Sequence, residues 1–353
     1  MNNLIDKARH LPAGDAVPTL SVSPVTLPVP GRERPLEMRI TAPLAGGDLP
    51  VVLLSHGHGP SLYLHSKDGY APLVHFYAAH GFAVIQPTHA NSRVGGFPAD
   101  APGAPLFWRV RVEEMKLILD ALDDVEALVP AIRGRLDRSR IGAVGHSLGA
   151  QTVGMLLGAR LTDPSDESSR EVNLIDPRIR AGVLLAPPGR GGADLSQFAA
   201  EAFPFLNPDY AHLTTRTLVV WGEHDHTPRL TVRGPDWRTD AYRLSPGADC
   251  LLTLHGAGHG LGGIAGYDAQ ETDDEDPDRL AVTQRMTWAY LRTALYEGDP
   301  AWTRACAALD SHAASLGRVD RKGDRAVALP PETYTEAKHT SGLCCERTSD
   351  GNL

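Results

Sequence analysis

The chain has 353 residues and a net charge of −9, with 42% hydrophobic and 22% charged residues. This composition is typical of a globular protein with one large α/β domain or two small ones. The negative charge, without a cluster of Lys and Arg, argues against nucleic acid or an anionic membrane as the main partner. Because the sequence has neither a signal peptide nor an apolar run of about eighteen residues, we expect a cytoplasmic protein with no membrane partner.

The four cysteines have no spacing typical of a zinc site or of a disulfide framework. They are most simply reduced thiols, and we expect no metal. Residues 1–35 are rich in proline and predict an extended segment that forms an edge strand at most. From 318 to 353 the chain is polar and without periodicity, which predicts a loosely held tail that contains Cys344 and Cys345.

Between these ends, residues 36–317 alternate between apolar strands and amphipathic helices. The predicted strands are 36–42, 49–54, 82–86, 139–146, 179–186, 217–221 and 250–254. The predicted helices are 70–80, 106–128, 148–157, 280–296 and 302–313. A segment at 187–215 interrupts the alternation and is predicted to be a short lid. The pattern predicts an α/β domain whose mostly parallel central sheet has helices on both faces, with sites at the carboxyl ends of the strands.

The turn at 145–149 reads GHSLG, which matches G-x-S-x-G. In this motif two glycines let a strand and a helix approach closely, while the serine is held in a strained conformation with its Oγ exposed. An apolar strand precedes this turn and a helix follows it, as the motif requires. We therefore predict that Ser147 is a nucleophile.

A nucleophilic serine needs a histidine to take its proton and a carboxylate to hold the imidazole. Asp225 follows a predicted strand in the sequence GEHD, and His259 lies in a glycine-rich loop after the last strand. The order Ser147, Asp225, His259 is one of the known orders of a catalytic triad. The alternatives left open are Glu223 or Asp194 for the acid and His255 for the base.

An oxyanion needs two preorganised N–H donors. One is expected from the backbone of Leu148, which follows the nucleophile at the start of a helix. The loop after the strand at 49–54 reads SHGHG, and its His58 is expected to supply the second N–H. In the lid, Phe198, Phe203 and Phe205 are predicted to wall a substrate pocket, with packing in the core as the alternative.

Four motifs, SHGHG, GHSLGA, GEHD and GAGHG, together resemble the α/β-hydrolase superfamily. Within it the chain resembles the branch of dienelactone hydrolases and platelet-activating-factor acetylhydrolase-like esterases, over residues 36–296. That branch carries an arginine on the helix before the elbow, and the comparable stretch here holds Trp108, Arg109, Arg111 and Glu113. Dienelactone hydrolases use a cysteine where this chain has Ser147, so their substrate is not carried over.

The resemblance implies an α/β-hydrolase fold and a serine hydrolase without a cofactor, which cleaves small to medium soluble carboxylic esters through an acyl-enzyme. Two alternatives stay open. The same residues would serve an acyltransferase or an amidase, because the fold does not select the acceptor. From a different class, the chain could be a non-catalytic relative that binds a ligand. The sequence does not predict the oligomeric state.

Overall fold

The computed structural model describes residues 4–30, 32, 34–98, 100–163, 171–266 and 274–323. Cys344 and Cys345 lie outside these residues. Cys250 and Cys306 are buried free thiols. In the described part of the chain, none of the helices is both long and apolar enough to cross a membrane.

The fold is α/β, with a large central sheet of nine strands and a separate two-stranded hairpin. The strands are β1 (Thr19–Leu27), β2 (Leu36–Pro43), β3 (Leu49–Ser55), β4 (Ala83–Pro87), β5 (Leu136–His146), β6 (Arg160–Thr162), β7 (Glu171–Asn173), β8 (Ile179–Leu185), β9 (Thr217–Gly222), β10 (Ala248–Leu254) and β11 (Gly317–Arg321). The order across the large sheet is β1-β2-β4-β3-β5-β8-β9-β10-β11, and β6 pairs with β7.

The sheet is mostly parallel. From β4 through β3, β5, β8 and β9 to β10, neighbouring strands run in the same direction. β1 and β2 at one edge and β11 at the other are antiparallel to their neighbours. Every residue of β3 is buried, because a strand in the middle of such a sheet is covered on both faces.

The α-helices are α1 (Ala71–Ala79), α2 (Trp108–Asp120), α3 (Leu122–Leu128), α4 (Leu148–Leu156), α5 (Gln197–Ala202), α6 (Asp240–Leu244), α7 (Pro277–Leu295) and α8 (Ala301–His312). Short 3-10 turns occur at Lys7–His10, Pro130–Ile132, Gly192–Asp194 and Pro235–Thr239. Helices α1, α7 and α8 pack on one face of the sheet. Helices α2, α3, α4 and α6 pack on the other, so the core consists of two apolar layers.

The N-terminal segment forms an edge strand, β1, which is the most that its sequence predicted. Two predictions differ from the structure. The helix predicted at 106–128 is two helices that meet at Ala121. The predicted tail begins too early, because Arg318–Arg321 belong to β11 and pair with β10. Pairing covers the hydrogen-bonding groups that β10 would otherwise leave open at the sheet edge.

The segment at 187–215 carries only one short helix, α5, and it packs against a second segment that follows β9. A small apolar cluster joins Leu195, Ala199 and Leu206 of the first segment to Trp237 of the second. We call these two segments, 187–215 and 226–239, the cap. The sequence pattern predicted only the first half, because the second half is a turn-rich stretch without helical or strand periodicity.

Candidate active site

Ser147 lies between β5 and α4 at the carboxyl end of the sheet. Its backbone has φ +56° and ψ −120°, a conformation that residues other than glycine rarely adopt. The Ser147 N–H donates to the carbonyl of Leu185 at 2.9 Å, which anchors the turn to β8. The side chain is half-buried. This geometry is that of a nucleophile elbow.

Both glycines of the motif are sterically required. A Cβ on Gly145 would lie 2.1 Å from the carbonyl oxygen of Gly149. A Cβ on Gly149 would lie 2.0 Å from the carbonyl oxygen of Ser55, at the end of β3. Since real Cβ atoms do not approach oxygen this closely, α4 can pack against β3 and β5 only with glycine at both positions.

The structure brings Asp225 and His259 together, with 2.8 Å between Asp225 Oδ2 and His259 Nδ1. Asp225 is buried, whereas 42% of the His259 side chain is exposed. The alternative residues pair elsewhere. Glu223 Oε2 lies 3.0 Å from Nδ1 of His255, and the remaining acid, Asp194, pairs with an arginine of the cap.

His146, the residue before the predicted nucleophile, connects the elbow to the His259 loop. Its Nε2 donates to the carbonyl oxygen of His259 at 2.9 Å, and the two rings lie 4.6 Å apart. Among the described residues, Ser147 Oγ has no hydrogen-bond partner, so a bond to His259 is not formed in this state.

Arg238 adds a cation to this group. Its Nε lies 2.9 Å from Asp225 Oδ2, and one Nη donates to Oδ1 at 3.2 Å. Burial by itself would raise the pKa of the Asp225 carboxyl, but Arg238 and His259 outweigh burial and hold that pKa well below its usual value. Asp225 is therefore a carboxylate at every pH at which the protein would work.

The backbone N–H groups of His58 and Leu148 have no hydrogen-bond partner within the described residues. Leu148 is the first residue of α4, where helix N–H groups have no partner inside the helix. His58 lies in the loop that follows β3, and its Nδ1 is 3.0 Å from Asn91 Nδ2. Two unpaired donors on the loops that flank Ser147 are what an oxyanion hole requires.

A buried arginine supports the His58 loop from behind. Arg111 donates to the carbonyl oxygen of His56, to Ser55 Oγ at 3.1 Å and to Thr152 Oγ1 at 2.9 Å. It also donates to the Asn91 side chain. Burial lowers the pKa of Arg111 to about 9, which leaves it a cation at neutral pH. These bonds fix the backbone that carries His58.

Tyr70 joins the same loop to the elbow. Its hydroxyl accepts from the N–H of Gly57 at 3.2 Å and lies 2.8 Å from Nδ1 of His146. Burial, and next the neighbouring His259, hold the pKa of His146 well below its usual value. The neutral ring can therefore accept from Tyr70 while its Nε2 donates to the His259 loop.

The three phenylalanines of the predicted pocket form a row in the cap. Phe198 is exposed and lies under Arg229, with 4.3 Å from ring centre to guanidinium carbon. Phe203 packs against the small apolar cluster of the cap. Phe205 stacks on Trp108 at 6.0 Å. The last two therefore serve in packing, and a contact with substrate stays a prediction for all three.

One exposed group among the described residues has side chains close enough to share a metal ion. Glu171, Asp209 and His212 offer ligand atoms within 4.8 Å of one another at the β6–β7 hairpin. Glu171 already pairs with Arg160 at 2.5 Å. Exposed acidic groups of this kind are common without an ion, so we assign no metal site to them.

No protein-family model and no curated protein matches this chain. The function therefore has to be argued from the site itself.

Sequence reasoning missed several residues of this site. Of the helix residues named by resemblance, Arg111 is buried at the site, whereas Arg109 and Glu113 are exposed. Glu114, which was not named, is buried beside Arg111. The signal was present, because Arg111 and Glu114 are three residues apart and share the apolar face of α2. Arg238 had no such signal, since it lies in a turn without a motif.

Proposed function

We propose that this chain is a serine hydrolase of the α/β-hydrolase type that cleaves carboxylic esters without a cofactor. The observation that carries the proposal is the 2.8 Å contact between Asp225 and His259 at the sheet edge where Ser147 has its strained backbone. A hydrogen-bonded acid and histidine, together with a half-buried serine at the same sheet edge, are the parts that acyl transfer needs.

In this mechanism Ser147 Oγ attacks the ester carbonyl while His259 Nε2 accepts its proton. Asp225 holds the ring with Nε2 toward the serine and stabilises the imidazolium that forms. The N–H groups of Leu148 and His58 stabilise the oxyanion. Protonated His259 then donates its proton to the leaving alcohol. In the second half, water attacks the acyl-enzyme while His259 takes a proton from it. Ser147 Oγ then leaves with that proton, and the acid is released.

The substrates are expected to be soluble esters with short to medium acyl groups. The cap is short, and its apolar side chains are largely taken up by its own packing. Each added methylene gains roughly 0.8 kcal/mol only while it finds apolar surface to bury against. Rates on p-nitrophenyl esters should rise over the first few carbons and then fall. Faster turnover of emulsified long-chain esters than of butyrate would contradict this expectation.

The central test is labelling with a fluorophosphonate probe and hydrolysis of p-nitrophenyl butyrate. Wild type should do both and Ser147→Ala neither. Ser311→Ala is the matched control, because Ser311 lies on the exposed surface of α8 and bonds only its own helix. A wild-type protein that is folded but neither labels nor hydrolyses would favour the ligand-binding alternative. Faster transfer to an added alcohol than to water would favour an acyltransferase.

A further inference from the structure

Arg238 touches two members of the proposed triad. Its guanidinium reaches both oxygens of Asp225, at 2.9 and 3.2 Å. The same Nη that donates to Asp225 lies 3.4 Å from His259 Nδ1. The carboxylate that orients His259 is thus shared with a permanent cation, and that cation also faces the ring itself.

The guanidinium is fixed from several sides. Arg238 lies on the 3-10 turn Pro235–Thr239 in the second half of the cap, and its side chain is only 2% exposed. Its other Nη points to the carbonyl oxygens of Ala186 and Pro187, at 3.3 and 3.4 Å. The ring centre of Trp237 lies 5.2 Å from the guanidinium carbon. Because these contacts come from the residue after β8 and from both halves of the cap, Arg238 cannot move away without rearrangement of the cap.

Among the described residues, five ionisable groups lie near His259. They are Asp225 after β9, Arg238 in the cap, His146 at the elbow, His65 in the loop after β3, and Asp274, which lies against Gly258 and Gly260 on either side of His259. Burial lowers the pKa of His65 to about 4, and burial also holds the pKa of His146 well below its usual value. Both rings are neutral near pH 7, so Asp225 and Arg238 are the charged groups in direct contact with the His259 ring.

An unshared carboxylate favours the protonated imidazole by its full charge. Here a cation at comparable distance offsets much of that charge. We propose that Arg238 is a positioning residue that fixes the Asp225 carboxylate and, by balancing its charge, keeps His259 able to accept the Ser147 proton at lower pH than Asp225 alone would allow. This inference rests on the proposed function.

The test compares Arg238→Met with Arg238→Lys in the pH dependence of kcat/KM for p-nitrophenyl butyrate. Without the cation, the midpoint of the acid limb should move to higher pH by about one unit. Lysine keeps the charge but not the two-pronged geometry, so the midpoint should stay near that of wild type while the plateau falls. An unchanged midpoint in Arg238→Met, or an equal shift in both variants, would overturn the inference.

Arg233→Met is the matched control. Arg233 lies in the same half of the cap and pairs with Asp236 and Asp240, at 2.9 and 2.8 Å. Its loss should lower stability and leave the midpoint unchanged. If Arg238→Met does not fold, Arg238→Gln supplies a second neutral variant that retains an amide donor for the carboxylate.

A second readout separates this inference from the proposed function. The titration of the His259 ring can be followed by NMR in the Ser147→Ala background, because this measurement needs no turnover. The His259 signal is assigned by its disappearance in His259→Gln. An Arg238→Met change in that background should shift the titration to higher pH. A protein without esterase activity but with this shift would refute the proposed function alone, and an active protein without the shift would refute the role of Arg238 alone.

Discussion

Two groups of serine, histidine and carboxylate occur among the described residues, and they differ in burial. In the buried group, Ser55 Oγ lies 2.9 Å from His89 Nε2, and His89 Nδ1 lies 2.7 Å from Glu114 Oε2. None of the three is more than 2% exposed. Judged by hydrogen bonds alone, this group is more complete than the one that contains Ser147.

The group of Ser147, Asp225 and His259 is accessible, which the buried group is not. Ser147 is half-buried with a free Oγ, and His259 is partly exposed. In the buried group Ser55 is fully buried and its Oγ accepts from Arg111, so a substrate cannot reach it. The comparison teaches that access and unpaired N–H donors, rather than complete hydrogen bonding, distinguish a candidate nucleophile from a structural serine.

The largest expected effect separates the two histidines. His259→Gln should lower kcat/KM by about 10⁶-fold with little change in stability, because triad members act as a unit. Adding Ser147→Ala should cause almost no further loss. His89→Gln should lower the free energy of unfolding by about 1–3 kcal/mol, because it leaves buried groups without partners. Its folded fraction should keep most of the activity. Steady-state kinetics and urea unfolding of both variants measure these effects. If His89→Gln lost the activity and His259→Gln only the stability, His89 would be the catalytic base and His259 a structural residue.

The next effect separates the two acids that follow β9. Asp225→Asn should lower kcat by about 10⁴-fold, because an amide favours the wrong tautomer of His259. Glu223→Gln is the matched control, since Glu223 pairs with His255 instead, and its kcat should stay close to that of wild type. Steady-state kinetics with p-nitrophenyl butyrate measure both. A larger loss in Glu223→Gln would make Glu223 the acid.

The carboxyl groups of the two clusters, Glu114 and Asp225, should make contributions to stability that depend on pH with opposite signs. Burial raises the pKa of Glu114 from 4.5 to about 7, so the stability that its protonated form contributes is complete below pH 4.5 and is lost as pH rises toward 7. The pKa of Asp225 is instead lowered from 3.8, so its contribution is complete above that value and is lost as pH falls. Arg238 and His259 lower the pKa of Asp225 because their effect outweighs that of burial.

Urea unfolding across this pH range measures the difference between wild type and each of Glu114→Gln and Asp225→Asn. The first difference should fall with rising pH, by about 1.4 kcal/mol for each unit of pKa shift. The second should be constant near neutrality and shrink only in acid. Arg32 also pairs with Glu114, with 2.5 Å between Nη1 and Oε1. If the first difference does not change with pH, Arg32 and His89 stabilise an ionised Glu114 fully.

The smallest effect concerns the link between the two loops of the site. Tyr70→Phe removes the hydroxyl that bonds Gly57 and His146. It should lower kcat/KM by about tenfold with an unchanged KM, which corresponds to a loss of about 1.4 kcal/mol. Tyr77→Phe is the control, because Tyr77 lies on α1 and bonds Thr287 away from the site. It should lose similar stability and no activity. Equal kinetics in the two variants would show that Tyr70 only supports packing.

Much of the fold could be predicted because its signals are local. Apolar runs such as LPVVLL at 49–54 mark strands that a parallel sheet buries on both faces. The elbow at Ser147 is local as well, since its two glycines lie within three residues of the serine. The prediction that failed is the start of the C-terminal tail at 318. β11 (Gly317–Arg321) has a polar sequence and forms because β10 offers an unpaired edge.

The sequence by itself determined the alternation of strands and helices and the candidate serine, because periodicity and glycine stereochemistry act over a few residues. Only the tertiary structure decided which histidine meets which acid, and that Arg238 shares Asp225 with His259. It also decided that Arg111, fifty-six residues away from Ser55, fixes the loop of His58. These pairings depend on burial and distance between segments remote in the chain, and the energy of a buried charge is set by its neighbours in space.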